Sequence, residues 1–311
     1  MVNMTHFTFP SADGRTHLHA IEWADDTQTP VAVLQLTHGV SEYIQRYDGL
    51  ARYLAERGFL VVGHDHLGHG RSIDAAGTSI YFCDNDGWNT AVDDVRGLQL
   101  LTKSKYPALP YFLLGHSMGS FITRTFLIRY AGAVDGATVM GSGWQGAAKL
   151  AGGRLVANLA AKRLGRRATS DFVNNLAFGG YNKAFAPNFT DFDWISSDRA
   201  VVNAYAMDPL CGQRVTVGLF QDMLGGIHFN QQPENLKKMD MDTPILFISG
   251  GDDPVGDMGK GVQLSHDVFR AAGVKDCSLL LYPGLRHEIL NEPQSQQQIY
   301  ADILQWLQKH L

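Results

Sequence analysis

The chain is poor in cysteine. Cys83, Cys211 and Cys277 are scattered and odd in number, which excludes a disulfide framework and suits a reducing compartment. Each reads as a small apolar residue rather than a nucleophile. No run reaches the roughly 18–20 apolar residues that a membrane span needs. The first residues, Met1-Val2-Asn3-Met4-Thr5-His6, have neither the basic start nor the apolar stretch of a signal peptide, so the expected location is cytoplasmic. Positive charge is not in excess: 26 Lys and Arg stand against 31 Asp and Glu, a net −5. That leaves no field to attract nucleic acid. Internal repeats and low-complexity tracts are absent as well. What remains is a chain of 311 residues, 45% of them apolar, enough for one large core or a core with an insertion.

The stretch that organises the rest runs from Tyr111 to Ser120. Tyr111 to Leu114 is a short apolar run of the kind buried in a parallel sheet. Phe121, Ile122 and Tyr130 belong to a mostly apolar helix beyond it. Between them, Gly115-His116-Ser117-Met118-Gly119 fits G-x-S-x-G. A serine on a tight strand-to-helix bend needs neighbours without bulk, so glycine stands two residues away on each side. The bend lifts the Ser117 hydroxyl clear of the backbone. It also points the first N–H groups of the new helix, that of Met118 among them, toward whatever the serine attacks. In a chain with 33 glycines the bare pattern is weak, and its place between a buried strand and a helix is what makes it specific.

Elsewhere the chain alternates. Phe7-Thr8-Phe9 and Thr16 to Ile21 have period two around Asp13-Gly14 and predict an opening hairpin. Val31 to Leu36 predicts a third strand, Phe59 to Val62 a buried fourth, and Ala137 to Gly141 another; Pro244 to Gly250 and Ser278 to Tyr282 are the last two. Tyr47, Leu50, Ala51 and Leu54 are spaced for a helix that Gly58 ends. Ala91, Val95, Leu98 and Leu101 predict a helix with one buried face. Ile299, Ile303, Trp306 and Leu307 line a closing helix, with Ser295 placed to cap it and Gln298 three residues on. From about Trp144 to Lys238 no good strand run occurs. The pattern predicts an α/β fold, a mostly parallel central sheet with helices on both faces and antiparallel strands at one edge. Residues 1–143 and 239–311 form its core. Residues 144–238 form an inserted helical cap, on the side where open α/β sheets bind ligands.

A serine hydroxyl is a poor nucleophile near neutral pH and needs a base in reach and a third group to orient that base. His287 lies just past the last strand. Alone it would read as a solvated loop histidine. Gly250-Gly251-Asp252-Asp253-Pro254, after the preceding strand, supplies two candidate acids. Serine, acid and histidine then follow in the order of α/β-hydrolases. The oxyanion of an acyl-transfer intermediate needs two preorganised N–H groups. Met118 offers one, and Val40, at the end of the third strand in His38-Gly39-Val40, offers the other.

Residues His38 to Tyr47 resemble the H-G-x-x-E-x-x-x-R-Y stretch of monoacylglycerol lipases. Asp65-His66-Leu67-Gly68-His69-Gly70-Arg71-Ser72 resembles their D-H-x-G-H-G-x-S stretch, and Gly115 to Gly119 their G-H-S-M-G elbow. Tyr282 to Glu292 is similar to the end of bacterial lysophospholipase-like relatives. Four motifs in register, at both ends of the core, are far more specific than one. The resemblance implies the α/β-hydrolase fold and a serine ester hydrolase that cleaves a lipid-like monoester through an acyl-enzyme. It implies Ser117 as nucleophile, Asp253 as acid and His287 as base. Asp253 is chosen over Asp252 because the family places its acid just before a Pro-Val-like pair, here Pro254-Val255. No metal or organic cofactor is implied.

Other readings compete. Gly63-His64-Asp65-His66-Leu67-Gly68-His69 approaches a zinc-hydrolase pattern, but Gly68 stands where that pattern wants Asp, so a metallohydrolase is not expected. Halide- or epoxide-cleaving relatives would carry Asp in place of Ser117, and a non-catalytic ligand-binding relative would have lost part of the triad. A general carboxylesterase or an aminopeptidase of the same fold are the alternatives. An aminopeptidase needs acids in the cap to hold the substrate amine, whereas Trp144 to Ser170 carries Lys149, Arg154, Lys162, Arg163, Arg166 and Arg167 and no acid. That run reads plainly as a solvated helix face, and functionally as peripheral contact of the cap with anionic lipid. Val217, Phe220, Leu224 and Ile227 fall at helical spacing, and Phe220 and Leu224 are the candidates for an acyl-chain wall, with plain core packing as the other reading. The expected partner is a small ester or lipid substrate.

Overall fold

Strands that are apolar on both faces must be covered on both faces. The computed structural model, which describes all 311 residues, builds the chain that way. Strands β1 (Val2–Pro10), β2 (His17–Asp25), β3 (Ala32–Thr37), β4 (Phe59–His64), β5 (Tyr111–His116), β6 (Gly136–Met140), β7 (Ile245–Gly250) and β8 (Cys277–Tyr282) form one sheet in the order β1-β2-β4-β3-β5-β6-β7-β8. β1 pairs antiparallel with β2, and β2 with β4; every other pair is parallel. The chain has the α/β-hydrolase architecture, with its hairpin at one edge.

The helices are α1 (Asp48–Ala55), α2 (Gly87–Lys105), α3 (Met118–Arg129), α4 (Ala147–Leu164), α5 (Asp171–Phe178), α6 (Arg199–Met207), α7 (Val217–Asn230), α8 (Pro233–Leu236), α9 (Lys260–Ala272) and α10 (Gln296–Lys309). Period-two alternation along the strands divides the interior. Val33, Leu113, Val139 and Phe247 join one core with residues of α2, α3, α7 and α9. Leu34, Phe112, Leu114 and Ile248 join the other with residues of α1 and α10. α3 is the central helix, buried from Met118 to Ile128. Five helices, α4 to α8, intervene between β6 and β7, and the one isolated bridge among them pairs Thr169 with Thr216. No helix is long and apolar enough to cross a membrane.

Local expectations need three corrections. Leu101 is 36% exposed, because four positions spaced along a helix of 19 residues drift off the face that the sheet covers. Ser295 occupies the N-cap of α10, but its side chain makes no capping bond there. α3 stops at Arg129, with Tyr130 as its C-cap rather than inside it.

Candidate active site

At the end of β5 the backbone turns sharply. Ser117 sits at φ 54° and ψ −118°, a region side-chain-bearing residues rarely occupy and one met where a site needs it. Bulk is excluded on both sides. A methyl on Gly115 would overlap the carbonyl oxygen of Gly119, and one on Gly119 would overlap that of Thr37. The turn is anchored to β6 by the Ser117 N–H, which donates to the Met140 carbonyl at 3.0 Å. Met118 opens α3, where a helix leaves its first N–H groups without partners one turn back.

The two predicted partners come from neighbouring strands. Asp253, three residues past β7, is fully buried. Its Oδ1 accepts the Val255 N–H at 2.9 Å, and its Oδ2 accepts the Ser249 hydroxyl at 3.2 Å and faces His287 Nδ1 at 2.9 Å. Asp252 is half-buried and reaches the same region only through its backbone N–H, which donates to the Leu285 carbonyl at 2.9 Å. The structure thus brings together Asp253 and His287, and Ser117 and His287 line one cavity of about 560 Å³.

The other predicted donor, Val40, lines that cavity too. Its loop passes close over the serine: a methyl on Gly39 would meet the Ser117 Cβ at 3.1 Å. A buried polar network, unread in the sequence, holds this loop. Glu42 Oε1 accepts the Gly39 N–H at 2.6 Å and the Tyr47 hydroxyl at 2.9 Å, and lies 3.3 Å from His116 Nδ1. Glu42 Oε2 pairs with Arg46 at 2.7 Å, and Arg46 grips Glu288 with two bonds of 2.7 Å. His116 Nε2 reaches the His287 carbonyl at 3.2 Å. Burial pushes the Glu42 carboxyl up, but the His116 bond and the Arg46 charge outweigh it and hold it well below the usual carboxylate range. Burial alone would lower His116, and the Glu42 bond raises it instead. The ionised network thus ties the Gly39 turn to the residue after His287. Glu42, Arg46 and Tyr47 stand in the quoted motif, which was the available signal.

Phe220 and Leu224 do not line the cavity. Both are buried in the core on α7, itself one of the inserted helices, Leu224 within 3.2 Å of the space a methyl on Gly153 of α4 would fill. The same helix, α7, gives the cavity Met223 and Ile227 instead. The acyl-wall expectation for Phe220 and Leu224 is corrected accordingly: helical spacing selects a buried face, and here that face packs on α2, α3 and α4. Phe121, Phe178, Ile195 and Val255 complete much of the apolar lining, and Asp171, Asn174, Asn175, Gln213 and Arg214 make part of it polar.

His64, His66 and His69 pack with His38, ring centroids 4.3–6.3 Å apart. His38 Nδ1 donates to the Gly39 carbonyl at 2.7 Å, and its Nε2 accepts the His66 N–H at 2.9 Å. Burial pushes His64 and His69 down to about 3, so the rings are neutral near pH 7. No three His, Cys, Asp or Glu side chains are disposed to hold one metal ion. Asp65 ties this loop to its neighbours through the Ile44 N–H, the Arg71 N–H and His19 Nδ1, at 2.8, 2.9 and 2.8 Å.

Comparison with known proteins is consistent with this arrangement. Residues 28–294 match the family Hydrolase_4, described as serine aminopeptidase, S33. The chain is 32% identical over 294 residues to a monoacylglycerol lipase of Mycolicibacterium smegmatis, covering 93% of this chain and 92% of that protein. It is 27% identical over 301 residues to the monoglyceride lipase of Homo sapiens, covering 96% and 88%. The crystal structure of a thermostable carboxyl esterase from Bacillus coagulans, in complex with glycerol, superposes with a TM-score of 0.91 at 25% identity, over 99% of this chain and 98% of that one.

Proposed function

Since the chain belongs to the Hydrolase_4 family, serine aminopeptidase S33, we propose that this serine ester hydrolase acts on lipid-like monoesters of the monoacylglycerol or lysophospholipid class. Ser117 attacks the ester carbonyl while His287 takes its proton, and Asp253 keeps the imidazole in the right tautomer and stabilises its charged form. The N–H groups of Val40 and Met118 receive the oxyanion. The alcohol leaves with the proton from His287, and water activated by the same imidazole frees the acid. The observation that carries this reading is the Asp253–His287 pair, 2.9 Å long, opening on the cavity that Ser117 lines.

The lining supports the substrate class. An apolar wall suits an acyl chain and a polar wall suits a head group, within a volume usual for small-molecule sites. The aminopeptidase alternative has a single cavity acid without an ion-pair partner, the exposed Asp191. Asp171 is paired with Arg214, while Glu42 and Glu288 are paired with Arg46. Residues 144–238 act as the cap of a core made of 1–143 and 239–311. The outer face of α4, with exposed Leu155 and Leu159 beside Lys162 and Arg163, rests on anionic lipid. The three free cysteines suit the cytoplasm.

The test is a chain-length series of p-nitrophenyl esters beside a monoacylglycerol, a lysophospholipid and an aminoacyl amide. Each methylene buried should add about 0.8 kcal/mol, so kcat/KM should climb about fourfold per carbon until the cavity is full. Preference for acetyl, or faster cleavage of the amide, would overturn the lipid reading.

A further inference from the structure

The segment that carries the predicted base has little support from the sheet. β8 has a neighbour on one side only, its residues are half-buried or exposed, and residues 283–288 beyond it form no helix or strand. Yet His287 is 3% exposed. Besides the bonds from Asp253, His116, Arg46 and Asp252, its loop is held by the inserted segment, through the short 3₁₀ turn Asp193–Ile195 and the two residues after it.

The contacts run along both segments in step. The Arg286 guanidinium donates to the Asp193 carbonyl and, at 3.0 Å, to that of Ser196. The His287 N–H points at the Trp194 carbonyl at 3.4 Å, and the Glu288 N–H donates to the Ile195 carbonyl at 2.7 Å. Glu292 accepts from Ser197 twice, from the N–H at 2.8 Å and the hydroxyl at 2.6 Å. Side chains repeat the pattern. The Trp194 indole lies 4.9 Å from the His287 ring, the planes 39° apart, and His116 lies 4.6 Å from the same ring, the planes 40° apart. Trp194 is itself placed, its N–H donating to Asn182 Oδ1 at 2.9 Å and its ring 5.0 Å from that of Tyr181.

We propose that Trp194 is a positioning residue for His287, and that residues 193–197 of the insertion belong to the fixed frame of the active site rather than to a moving cover. The bond to Asp253 anchors Nδ1 but by itself leaves the ring able to tilt through small coupled changes of its side-chain torsions. The Trp194 indole and the His116 ring, each within 5 Å of the imidazole, restrict that movement. An aromatic face also suits the positive charge that the imidazole gains during attack. The inference rests on His287 being the base.

The test compares Trp194→Ala, Trp194→Phe and Trp194→Leu on p-nitrophenyl butyrate, with thermal midpoints and the rate of fluorophosphonate labelling measured on the same samples. Because a small misplacement of a catalytic group can cost up to about 100-fold, Trp194→Ala should lower kcat by about 30-fold or more with KM nearly unchanged. Labelling should slow in parallel. Trp194→Phe, which keeps a flat ring, should recover most of the loss, and Trp194→Leu, which only fills space, should not. Unchanged kcat in Trp194→Ala, or a rise in KM alone, would overturn the proposal. Should Trp194→Ala fail to fold, Phe against Leu decides: a clear kcat advantage for Phe sustains the proposal, and equality defeats it. Wild-type protein that neither cleaves the ester nor takes the probe would instead remove the serine-hydrolase mechanism, an outcome distinct from the failure of Trp194.

Discussion

Two adjacent aspartates after β7 differ in what they face. Asp253 is buried with its carboxylate on His287 Nδ1, while the half-buried Asp252 reaches the loop only through its N–H. An imidazole in the wrong tautomer cannot take the proton of a serine. Asp253→Asn is therefore expected to lower kcat on short esters by about 10³-fold or more, and Asp252→Asn to leave it nearly unchanged. Turnover of the two purified variants at saturating ester checks this, and equal losses would move the acid elsewhere. Ser117, Asp253 and His287 are legible as candidates because each follows the end of an apolar strand, so the periodicity that locates the strand also locates the residue. Choosing between the aspartates takes the neighbouring Pro254-Val255, a family likeness and not a matter of spacing. Trp194 is illegible by any such route. It lies 93 residues before its partner, in a turn of three residues with no period to read. Glu42 and Arg46 stand in a recognisable stretch, but the stretch does not say that Arg46 will meet Glu288.

At the scale of elements, α7 and α4 show what helical spacing can and cannot tell. Phe220 and Leu224 are buried as the spacing predicts, but burial under α4 and burial against a ligand leave the same trace in the sequence. Met223, one residue from Leu224, faces the cavity, and so does Ile227 from the spaced set itself. α4 poses the opposite question, because its apolar residues are outside. Only Leu150 and Ala157 are buried in its 18 residues, while Leu155 and Leu159 are 61% and 58% exposed. The basic run is not uniform either: Arg166 is tied to Asp222, and Arg167 to Asp74 and Asp84. What stays free is the part carried by α4 itself. The double variant Leu155→Asp/Leu159→Asp should lose binding to vesicles containing phosphatidylglycerol while keeping wild-type turnover of short soluble esters. Co-sedimentation with anionic and zwitterionic vesicles reads the first, and a plate assay the second. Equal binding by variant and wild type would make this face ordinary solvated surface.

Stability against pH is a property of the whole molecule, and Asp94 sets part of it. It lies in α2 with 1% exposure, its carboxylate accepting the Ala12 N–H at 2.7 Å and the Ser11 hydroxyl at 3.1 Å, so it joins the hairpin loop to the core. Burial pushes its carboxyl from 3.8 up to about 7. Between those values the folded protein holds a proton that the unfolded chain has released, so this group makes stability fall as pH rises from about 4 to about 7. Each tenfold difference in proton affinity between the folded and unfolded chain corresponds to about 1.4 kcal/mol. Asp94→Asn can keep both hydrogen bonds without the charge, and should be more stable than wild type near pH 8, with the difference vanishing below about pH 4. Urea midpoints at the two pH values check it, and an offset equal at both would contradict the burial argument.

The insertion is fastened unevenly. Residues 193–197 are bonded to the His287 loop, and Ser41 and Tyr43, beside Val40, are bonded to Gly212, Gln213, Tyr205 and Asp208 at distances of 2.7–3.1 Å. α4 instead lies outermost, packed chiefly on α7. For anyone recombining this chain with a relative, the gap between β6 and β7 is therefore not one interchangeable cassette. The splice points belong on either side of α4, near residues 146 and 165. A graft that carries residues 193–213 across imports half of another enzyme's active-site scaffold, and would need the matching loops at 38–47 and 283–292 to come with it.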